Sequence, residues 1–345
     1  MFRNDALAEL PEETARLGQR ALVLATSGQR DLTARAAALL GDRAVGVYDR
    51  AVMHVPIEIA RAACADATRL AADCCVAIGG GSTIGLAKAI ARDLNLPILA
   101  VPTTYSGSEM TPIWGLTEGG VKHTGRDPRV LPRTVIYDPM LMLGLPPGIS
   151  ATSGVNAIAH CVEGLYSETA NPLVSLMAEE GIRALGRSLP KVVRAPDDIA
   201  ARNDALYGSW LGGSVLGAVG MALHHKICHV LGGSFNLPHA ETHTIVLPHV
   251  VAYNSAAVPD AMHRIAAALG VEDAAQGLFD FVRALGARSA LAEIGMPADG
   301  IERAVTLVTA NPYYNPTPIH ADGIRKLLRD AFEGRRPEPS SGAAI

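Results

Sequence analysis

Residues 74–104 read CCVAIGGGSTIGLAKAIARDLNLPILAVPTT, and this stretch decides the fold class. Two short apolar runs, 74–80 and 97–104, flank a segment with helical periodicity at 82–94. Short apolar runs that are bounded by Gly or Pro and separated by a helix are typical of parallel strands in a βα sheet. The stretch therefore predicts a strand, a helix and a second strand parallel to the first.

The same alternation continues on both sides of this unit. Further short apolar runs occur at 21–26, 44–49 and 134–139, helical segments at 31–40 and 56–73, and a hairpin that turns at Gly119-Gly120 at 113–124. After Pro146-Pro147 nearly every segment has helical periodicity. We therefore predict an α/β N-terminal domain with a parallel Rossmann-like sheet, residues 1–149, followed by an all-α C-terminal domain, residues 150–345. The last ten residues, 336–345, are predicted to form a frayed tail.

Composition and charge narrow the class of protein. The chain has 345 residues, of which 49% are hydrophobic, and this is enough for two domains with substantial cores. The net charge is -4 and no basic run occurs, which argues against a nucleic-acid partner or an anionic membrane. No apolar stretch approaches the roughly 20 residues of a membrane span. The odd count of five cysteines fits reduced thiols, so we expect a cytoplasmic protein.

A glycine-rich turn lies between the first strand and the helix of the 74–104 unit. Glycines allow a phosphate to approach the backbone, and the start of a helix offers unpaired N–H groups with a partial positive charge. The next strand ends in a loop rich in hydroxyl side chains, which would lie at the same edge of the sheet. We therefore predict a nucleotide coenzyme that contacts Gly79, Gly80, Gly81 and Ser82 in the turn and Thr103, Thr104 and Ser108 in the loop.

The first strand ends at Thr26 and Ser27, which are expected to lie near the adenosine ribose. In many NAD-specific folds an acidic residue at such a strand end binds the ribose hydroxyl. Thr26 and Ser27 are small and neutral, so they would not repel a 2′-phosphate. The predicted coenzyme is therefore NADH or NADPH.

A histidine-rich stretch dominates the helical part of the chain. Residues 223–249 read LHHKICHVLGGSFNLPHAETHTIVLPH and contain six of the eleven histidines. One helical turn separates His225 from His229, and likewise His239 from His243. The glycines and the proline in residues 232–238 predict a turn between the two helices.

A second polar pair, Asn156 and His160, has the same helical spacing within residues 152–167. Grouped imidazoles usually serve metal binding, proton transfer or anion binding. Ligands of open parallel sheets bind at the carboxyl ends of the strands, so the site is expected in the cleft between the two domains. The predicted site consists of Asn156, His160, His229, His239 and His243.

These features together resemble the iron-containing alcohol dehydrogenase superfamily, which is related to dehydroquinate synthase. The resemblance rests on the glycine turn, the Pro102-Thr103-Thr104 loop, Asp138-Pro139 and the Asn/His motifs, and it extends from about residue 20 to residue 336. Within the superfamily, NAIAHCVEGLYS (156–167) and the histidine-rich stretch look like the maleylacetate reductase branch. That resemblance implies a homodimeric bacterial enzyme of hydroxyquinol- or resorcinol-type aromatic degradation, which reduces 2-maleylacetate to 3-oxoadipate with NADH or NADPH.

One position departs from the wider superfamily. Metal-dependent members use an aspartate and three histidines, which map to positions 156, 160, 229 and 239. Asn156 stands here in place of the aspartate, and a neutral amide is a weaker ligand for a divalent ion than a carboxylate. The resemblance to maleylacetate reductases, which share this asparagine, implies that no catalytic metal is present.

The reaction that the resemblance implies assigns roles to the remaining residues. Hydride addition to the alkene carbon β to the ketone creates an enolate, whose oxygen requires a hydrogen-bond donor. His160, His229 and His239 are the expected donors, and His243 is the candidate for proton delivery. The other basic groups are assigned to the carboxylates of the dicarboxylate substrate: Lys226 and His225 first, with Arg126 and Arg129 as weaker alternatives.

Two alternatives remain open on these residues. One is a metal-dependent alcohol or aldehyde dehydrogenase of the same fold that uses His160, His229 and His239. The other is a nucleotide-binding protein without catalysis, which the histidine grouping disfavours because binding alone does not need several convergent titratable groups. The remaining histidines are assigned structural or surface roles: His54, His123, His224, His249, His263 and His320.

Overall fold

The computed structural model describes residues 1–338, so residues 339–345 of the predicted tail lie outside the described residues. The chain divides into two compact units. The first comprises Met1–Leu145 and the second begins at Pro146, whereas the sequence pattern placed the boundary between residues 149 and 150.

The first unit is built on a parallel five-stranded sheet with the strand order β2-β1-β3-β4-β7. Its strands are β1 (Ala21–Leu24), β2 (Ala44–Tyr48), β3 (Cys74–Gly79), β4 (Ile98–Pro102) and β7 (Thr134–Val135), and β5 (Ile113–Glu118) and β6 (Val121–Arg126) form a separate antiparallel pair. Its helices are α1 (Leu10–Ala15), α2 (Arg30–Leu40), α3 (Ile57–Arg69) and α4 (Gly81–Leu94). The predicted α/β architecture with a parallel Rossmann-like sheet is therefore confirmed.

Burial on both faces explains why these strands read as continuous apolar runs. Along β1, Leu22 packs with residues of α3 and α4, while Val23 packs on the opposite face with residues of α1 and α2. Side chains alternate between the two faces of a strand, so both sets of neighbours must be apolar. Asp138, which follows β7, accepts hydrogen bonds from the backbone N–H groups of Asp5 and Leu7 and so fixes the N-terminal segment.

The predicted hairpin is present as β5 and β6, with Gly119 and Gly120 at its turn. Both glycines have positive φ, 56° and 76°. A two-residue turn with positive φ at both positions matches the twist of the two strands, and glycine adopts it without steric cost. The Gly-Gly pair is thus required by the backbone of this turn.

The second unit contains helices and connecting segments but no strand among its described residues. Its α-helices are α5 (Pro147–Leu165), α6 (Pro172–Arg194), α7 (Ile199–Ala218), α8 (Leu223–Phe235), α9 (His239–Asn254), α10 (Pro259–Leu269), α11 (Ala274–Ala284), α12 (Gly300–Thr309) and α13 (Ala321–Glu333). Every residue of α5 from Ser150 to Leu165 is buried. Close approach of α7 explains part of this burial, because a side-chain carbon at Gly212 would lie 2.8 Å from the carbonyl oxygen of Ala157.

Among the described residues, no single helix has both the length and the apolar composition to cross a membrane. Helices α7 and α8 pass that test only as a pair, with a 95° bend between them.

The predicted turn at residues 232–238 is wrong for its first four residues. Helix α8 continues through Gly232 and Gly233 to Phe235, and the chain reverses only at Asn236, whose φ is 53°. A glycine in a helix costs about 1 kcal/mol relative to alanine, which packing of neighbouring side chains can offset. Leu231, which precedes the glycines, is fully buried in a core with α9, α12 and α13, and this core holds the last turn of α8 in place.

Candidate active site

The glycine-rich turn joins β3 to α4 in the first unit. Gly80 precedes α4 and offers no side chain to cap it, so no side chain occupies the N–H groups of Gly81 and Ser82 at the start of the helix. A side-chain carbon at Gly80 would lie 2.7 Å from the hydroxyl oxygen of Thr104, and one at Gly79 would collide with Thr83. Glycine is therefore needed here for the close approach of the following loop. A glycine-rich turn at the start of a helix is a type of backbone that binds phosphate groups.

The loop after β4 brings hydroxyl groups to the same edge of the sheet. Thr103 is buried, its N–H donates to the carbonyl of Gly79, and its hydroxyl accepts a hydrogen bond of 2.6 Å from Gln29. Thr104 is half-buried and lies against Gly80. Ser106, which the sequence reasoning did not single out, lies closest to Gly81, and its hydroxyl is buried with no hydrogen-bond partner in the part of the chain that the structure describes.

A buried lysine holds this loop against α4. The ammonium of Lys88 donates to the carbonyl oxygens of Ser108 and Ile113 and to the hydroxyl of Thr111, at 2.6 to 2.9 Å. Burial lowers the pKa of Lys88 to about 7, although the nearby Glu109 carboxylate acts in the opposite direction. Ser108 therefore contributes its carbonyl to the anchoring of the loop. Lys88 was not among the predicted site residues because its position in the helix excludes a Walker lysine.

Thr26 and Ser27 lie directly beyond β1, next to the strand that leads into the glycine turn. Thr26 is half-buried and Ser27 is exposed. Gln29, two residues further on, reaches the loop after β4 through its bond to Thr103. The carboxyl ends of β1, β3 and β4 therefore lie at one edge of the sheet, where ligands of parallel sheets bind.

The second unit gathers six imidazoles, which we call the histidine cluster: His160 on α5, His224, His225 and His229 on α8, and His239 and His243 on α9. The ring of His225 is central, with centroid distances of 5.2 Å to His160, 4.9 Å to His243 and 6.2 Å to His229. His239 lies 4.3 Å from His243 and 6.5 Å from His229. The structure thus brings together all four predicted histidines, and it places His225 among them and next to His160.

A buried carboxylate, Glu163, organises the cluster. Its oxygens accept hydrogen bonds from Nδ1 of His225 at 2.6 Å and from the backbone N–H groups of Ala222 at 3.0 Å and His224 at 2.7 Å. A carboxylate at Nδ1 fixes the tautomer and the orientation of an imidazole. Nε2 of His225 is buried and has no hydrogen-bond partner among the described residues. The sequence reasoning missed Glu163, whose only signal is an acidic residue in an apolar helix three positions after His160.

His224 and His243 form a second buried pair, with Nε2 of His224 at 2.9 Å from Nδ1 of His243. Burial lowers the pKa of His160, His224 and His243 well below the usual value, and neighbouring imidazoles lower it further. These three rings are therefore neutral at pH 7. His224 was expected to be structural, whereas it contacts the candidate proton donor directly. His249 lies apart, against Phe279.

The basic residues considered for substrate carboxylates have different surroundings. Lys226 is half-buried, and its ammonium lies 5.6 Å from the ring centroid of Tyr313. Nδ1 of His225 is hydrogen-bonded to Glu163. Arg129 forms an exposed ion pair with Asp127 in its own loop, and Arg126 lies on β6 of the first unit. Lys226 is thus the cation nearest to the histidine cluster in sequence.

Two family models match the chain almost from end to end. The model described as "Iron-containing alcohol dehydrogenase" matches residues 1–139, and that described as "Fe-containing alcohol dehydrogenase family, C-terminal" matches residues 150–332. The chain belongs to the iron-containing alcohol dehydrogenase family.

The chain is also similar to several maleylacetate reductases. Maleylacetate reductase from Burkholderia cepacia is 59% identical over 98% of this chain and 96% of its own length. The crystal structure of maleylacetate reductase from Agrobacterium tumefaciens is 52% identical, with a TM-score of 0.92. That of maleylacetate reductase from Rhizobium sp. strain MTP-10005 is 51% identical, with a TM-score of 0.91, and each alignment covers 98% of this chain and 96% of the other.

The family name implies iron, so we asked whether the predicted ligand positions fit a divalent metal. Position 156 carries a buried asparagine, whose Oδ1 has no partner in residues 1–338, and a neutral amide is a poor ligand for such an ion. In the same described range, the His, Cys, Asp or Glu trio whose ligand atoms lie within 4.8 Å of one another is His224, Cys228 and His243. Two of those nitrogens are already hydrogen-bonded to each other. Among residues 1–338, the ligand atoms of His160, His229 and His239 are not gathered within that distance of one another.

Proposed function

We propose that this protein is an NAD(P)H-dependent oxidoreductase that reduces the conjugated C=C bond of 2-maleylacetate to give 3-oxoadipate. The observation that carries the proposal is 59% identity to a maleylacetate reductase over 98% of the chain. The histidine cluster supports it independently, because a metal-free reduction must stabilise an enolate with hydrogen-bond donors alone. The reaction belongs to the degradation of hydroxyquinol- or resorcinol-type aromatic compounds.

The coenzyme is held by the first unit. Gly79, Gly80, Gly81 and Ser82 receive the pyrophosphate at the start of α4, where the backbone N–H groups are uncapped. Thr103, Thr104 and Ser108 belong to the loop that lies over this turn, and Thr26 and Ser27 lie at the ribose. When bound, the reduced nicotinamide supplies the hydride, and either NADH or NADPH serves because no acidic residue stands at the end of β1.

The histidine cluster stabilises the negative charge of the enolate and supplies the proton that completes the reduction. Hydride adds to the carbon β to the ketone, the C=C electron pair moves into the enolate, and one proton then adds to the neighbouring carbon. The Glu163 carboxylate accepts the Nδ1–H of His225, so a proton at Nε2 of this ring is stabilised by the adjacent negative charge, and His225 is the donor for the enolate oxygen. This role replaces the expected contact of His225 with a substrate carboxylate.

The other members of the cluster complete the site. His229 and His239 are half-buried and face the substrate, while His160 and His243 are buried and held neutral. His243 lies between His225 and His239 and keeps Nε2 free, so it carries the proton towards the substrate carbon. Asn156 is a neutral group on the same helix as His160, and a carboxylate there would repel the dianion. The enzyme works as a cytoplasmic homodimer without a catalytic metal.

The test is coenzyme oxidation in the presence of maleylacetate, with NADH and NADPH compared, before and after treatment with a chelator. The expected result is oxidation of either coenzyme, one equivalent of 3-oxoadipate per hydride, and no loss of rate after chelation. Simple aldehydes serve as the comparison substrates. Oxidation with aldehydes only, abolished by the chelator, would instead identify a metal-dependent alcohol dehydrogenase.

A further inference from the structure

Tyr313 carries a hydroxyl group that nothing in the proposed mechanism uses. It lies between α12 and α13, in a segment without helix or strand, and its ring packs against the core formed by α8, α9, α12 and α13. Its oxygen is buried and has no hydrogen-bond partner among residues 1–338. A buried hydroxyl without a partner costs about 1–3 kcal/mol. Such a group calls for an explanation, and an absent ligand is one.

The position of Tyr313 is set by its neighbours, independently of its own hydroxyl. The side-chain amides of Asn254 and Asn315 bond to each other twice, at 2.8 and 3.0 Å. The hydroxyl of Tyr314 donates to the carbonyl of Tyr166 at 2.9 Å. These bonds hold the segment against the ends of α9 and α5. The free hydroxyl is therefore presented by a fixed backbone.

Lys226 places a positive charge over the ring that carries this hydroxyl. Its ammonium lies 5.6 Å from the ring centroid of Tyr313, and its chain position places it directly after His225 of the histidine cluster. Burial, and then the negative charge of Glu163, raise the pKa of Tyr313, so the phenol keeps its proton and acts as a donor at neutral pH. A neutral O–H donor beside an ammonium is a suitable binding site for a carboxylate.

The chemistry of the proposed reaction identifies which carboxylate would bind. Hydride goes to the alkene carbon that bears one carboxylate, so that end of the substrate faces the nicotinamide. The ketone oxygen faces the donors of the histidine cluster. The second carboxylate, on the methylene beyond the ketone, remains for groups that flank the cluster. Resting on the proposed function, we propose that Tyr313 and Lys226 together bind the methylene-side carboxylate of the substrate and make the enzyme selective for dianions.

The experiment compares two substrates, maleylacetate and cis-4-oxopent-2-enoate, which has the same conjugated ketone but lacks the methylene-side carboxylate. The readout is the ratio of the two kcat/KM values in the wild type and in the variants Tyr313→Phe and Lys226→Met. We expect each variant to lower this ratio by about tenfold to hundredfold, because each removes a hydrogen bond to a charged group. The melting temperature of Tyr313→Phe should not fall, since phenylalanine only removes a hydroxyl that has no partner.

Tyr207→Phe is the matched control, because it deletes a tyrosine hydroxyl on α7, outside the segment that carries Tyr313, and its ratio should equal that of the wild type. Affinity for NADH should be unchanged in all the variants. A wild type that reduces neither substrate overturns the proposed function itself. A wild type that prefers maleylacetate, together with an unchanged ratio in both Tyr313→Phe and Lys226→Met, overturns the carboxylate site alone.

Discussion

Replacement of Glu163 by glutamine tests the organisation of the histidine cluster most directly. The carboxylate accepts three hydrogen bonds, two at the oxygen that faces His225 and Ala222 and one at the oxygen that faces His224. A glutamine side chain keeps only one acceptor oxygen, and its NH₂ group must take the place of the other. In either orientation that NH₂ group meets a backbone N–H, of His224 in one case and of Ala222 in the other.

The magnitude follows from this geometry. An unsatisfied buried donor costs about 1–3 kcal/mol, and a hydrogen bond to a charged group contributes about 1.5–3 kcal/mol. We therefore expect Glu163→Gln to lower the free energy of unfolding by about 2–4 kcal/mol. The change also removes the carboxylate that holds Nδ1 of His225, so the ring loses the fixed tautomer and orientation with which it binds the enolate. A loss of about 2.7 kcal/mol at that step corresponds to a fall in kcat of about hundredfold.

The assay is maleylacetate-dependent oxidation of NADH at a temperature where the variant is folded, combined with coenzyme titration and thermal melting. The coenzyme turn is in the first unit, so affinity for NADH should not change. Glu179→Gln is the matched control in the second unit, because Glu179 is partly exposed and pairs with Arg264. That change should stay within about 0.5 kcal/mol and keep full activity. A folded Glu163→Gln enzyme with wild-type kcat would refute the assignment of Glu163 and His225.

Three further predictions concern the metal, the coenzyme turn and pH. Asn156→Asp should lower the rate of maleylacetate reduction by at least about tenfold and increase the content of zinc or ferrous iron, as measured by turnover and metal analysis. The prediction is contradicted if a chelator inactivates the wild type and the Asn156→Asp variant is more active than the wild type. Gly80→Val should abolish NADH binding in calorimetry, because the added carbons would displace Thr104 and the loop that it belongs to. Burial lowers the pKa of His249 to about 4 and that of His160, His224 and His243 well below normal. On acidification the histidines of the unfolded chain take up protons before those of the folded chain. The free energy of unfolding is therefore highest above about pH 6.5 and falls below it, by about 1.4 kcal/mol per pH unit for each histidine. Denaturant titrations that give the same free energy of unfolding at pH 7 and at about pH 5 would exclude neutral buried rings.

The sheet and the helices were predictable because their signals are local. A strand that is buried on both faces needs an unbroken apolar run, and β3 and β4 have one between Gly or Pro residues. The turn predicted at Gly232 and Gly233 is wrong because the packing of the last turn of α8 outweighs the low helix propensity of glycine. The residues near the two glycines do not show how strongly this turn of the helix packs against the core.

The centre of the histidine cluster was not predictable for a different reason. Helix α8 is buried on several sides, so the spacing of His224, His225 and His229 alone does not show which ring lies innermost. Position is decided by Glu163 on α5, which bonds both to a side chain and to the backbone at the start of α8. A contact between residues about 60 positions apart leaves no periodic trace in the sequence.

The buried ammonium of Lys88 allows the opening of the loop after β4 to be measured by chemical labelling. The chain has five lysines, and Lys88 is 1% exposed beneath the loop that follows β4. An amine-reactive reagent can label it only after that loop has lifted away from α4, whereas Lys122 on β6 is partly exposed to the reagent throughout. The relative labelling rate of these two amines, read by peptide mapping, therefore measures how often the loop opens. Because the same loop lies over the glycine turn, the rate also measures how firmly a bound dinucleotide keeps it closed.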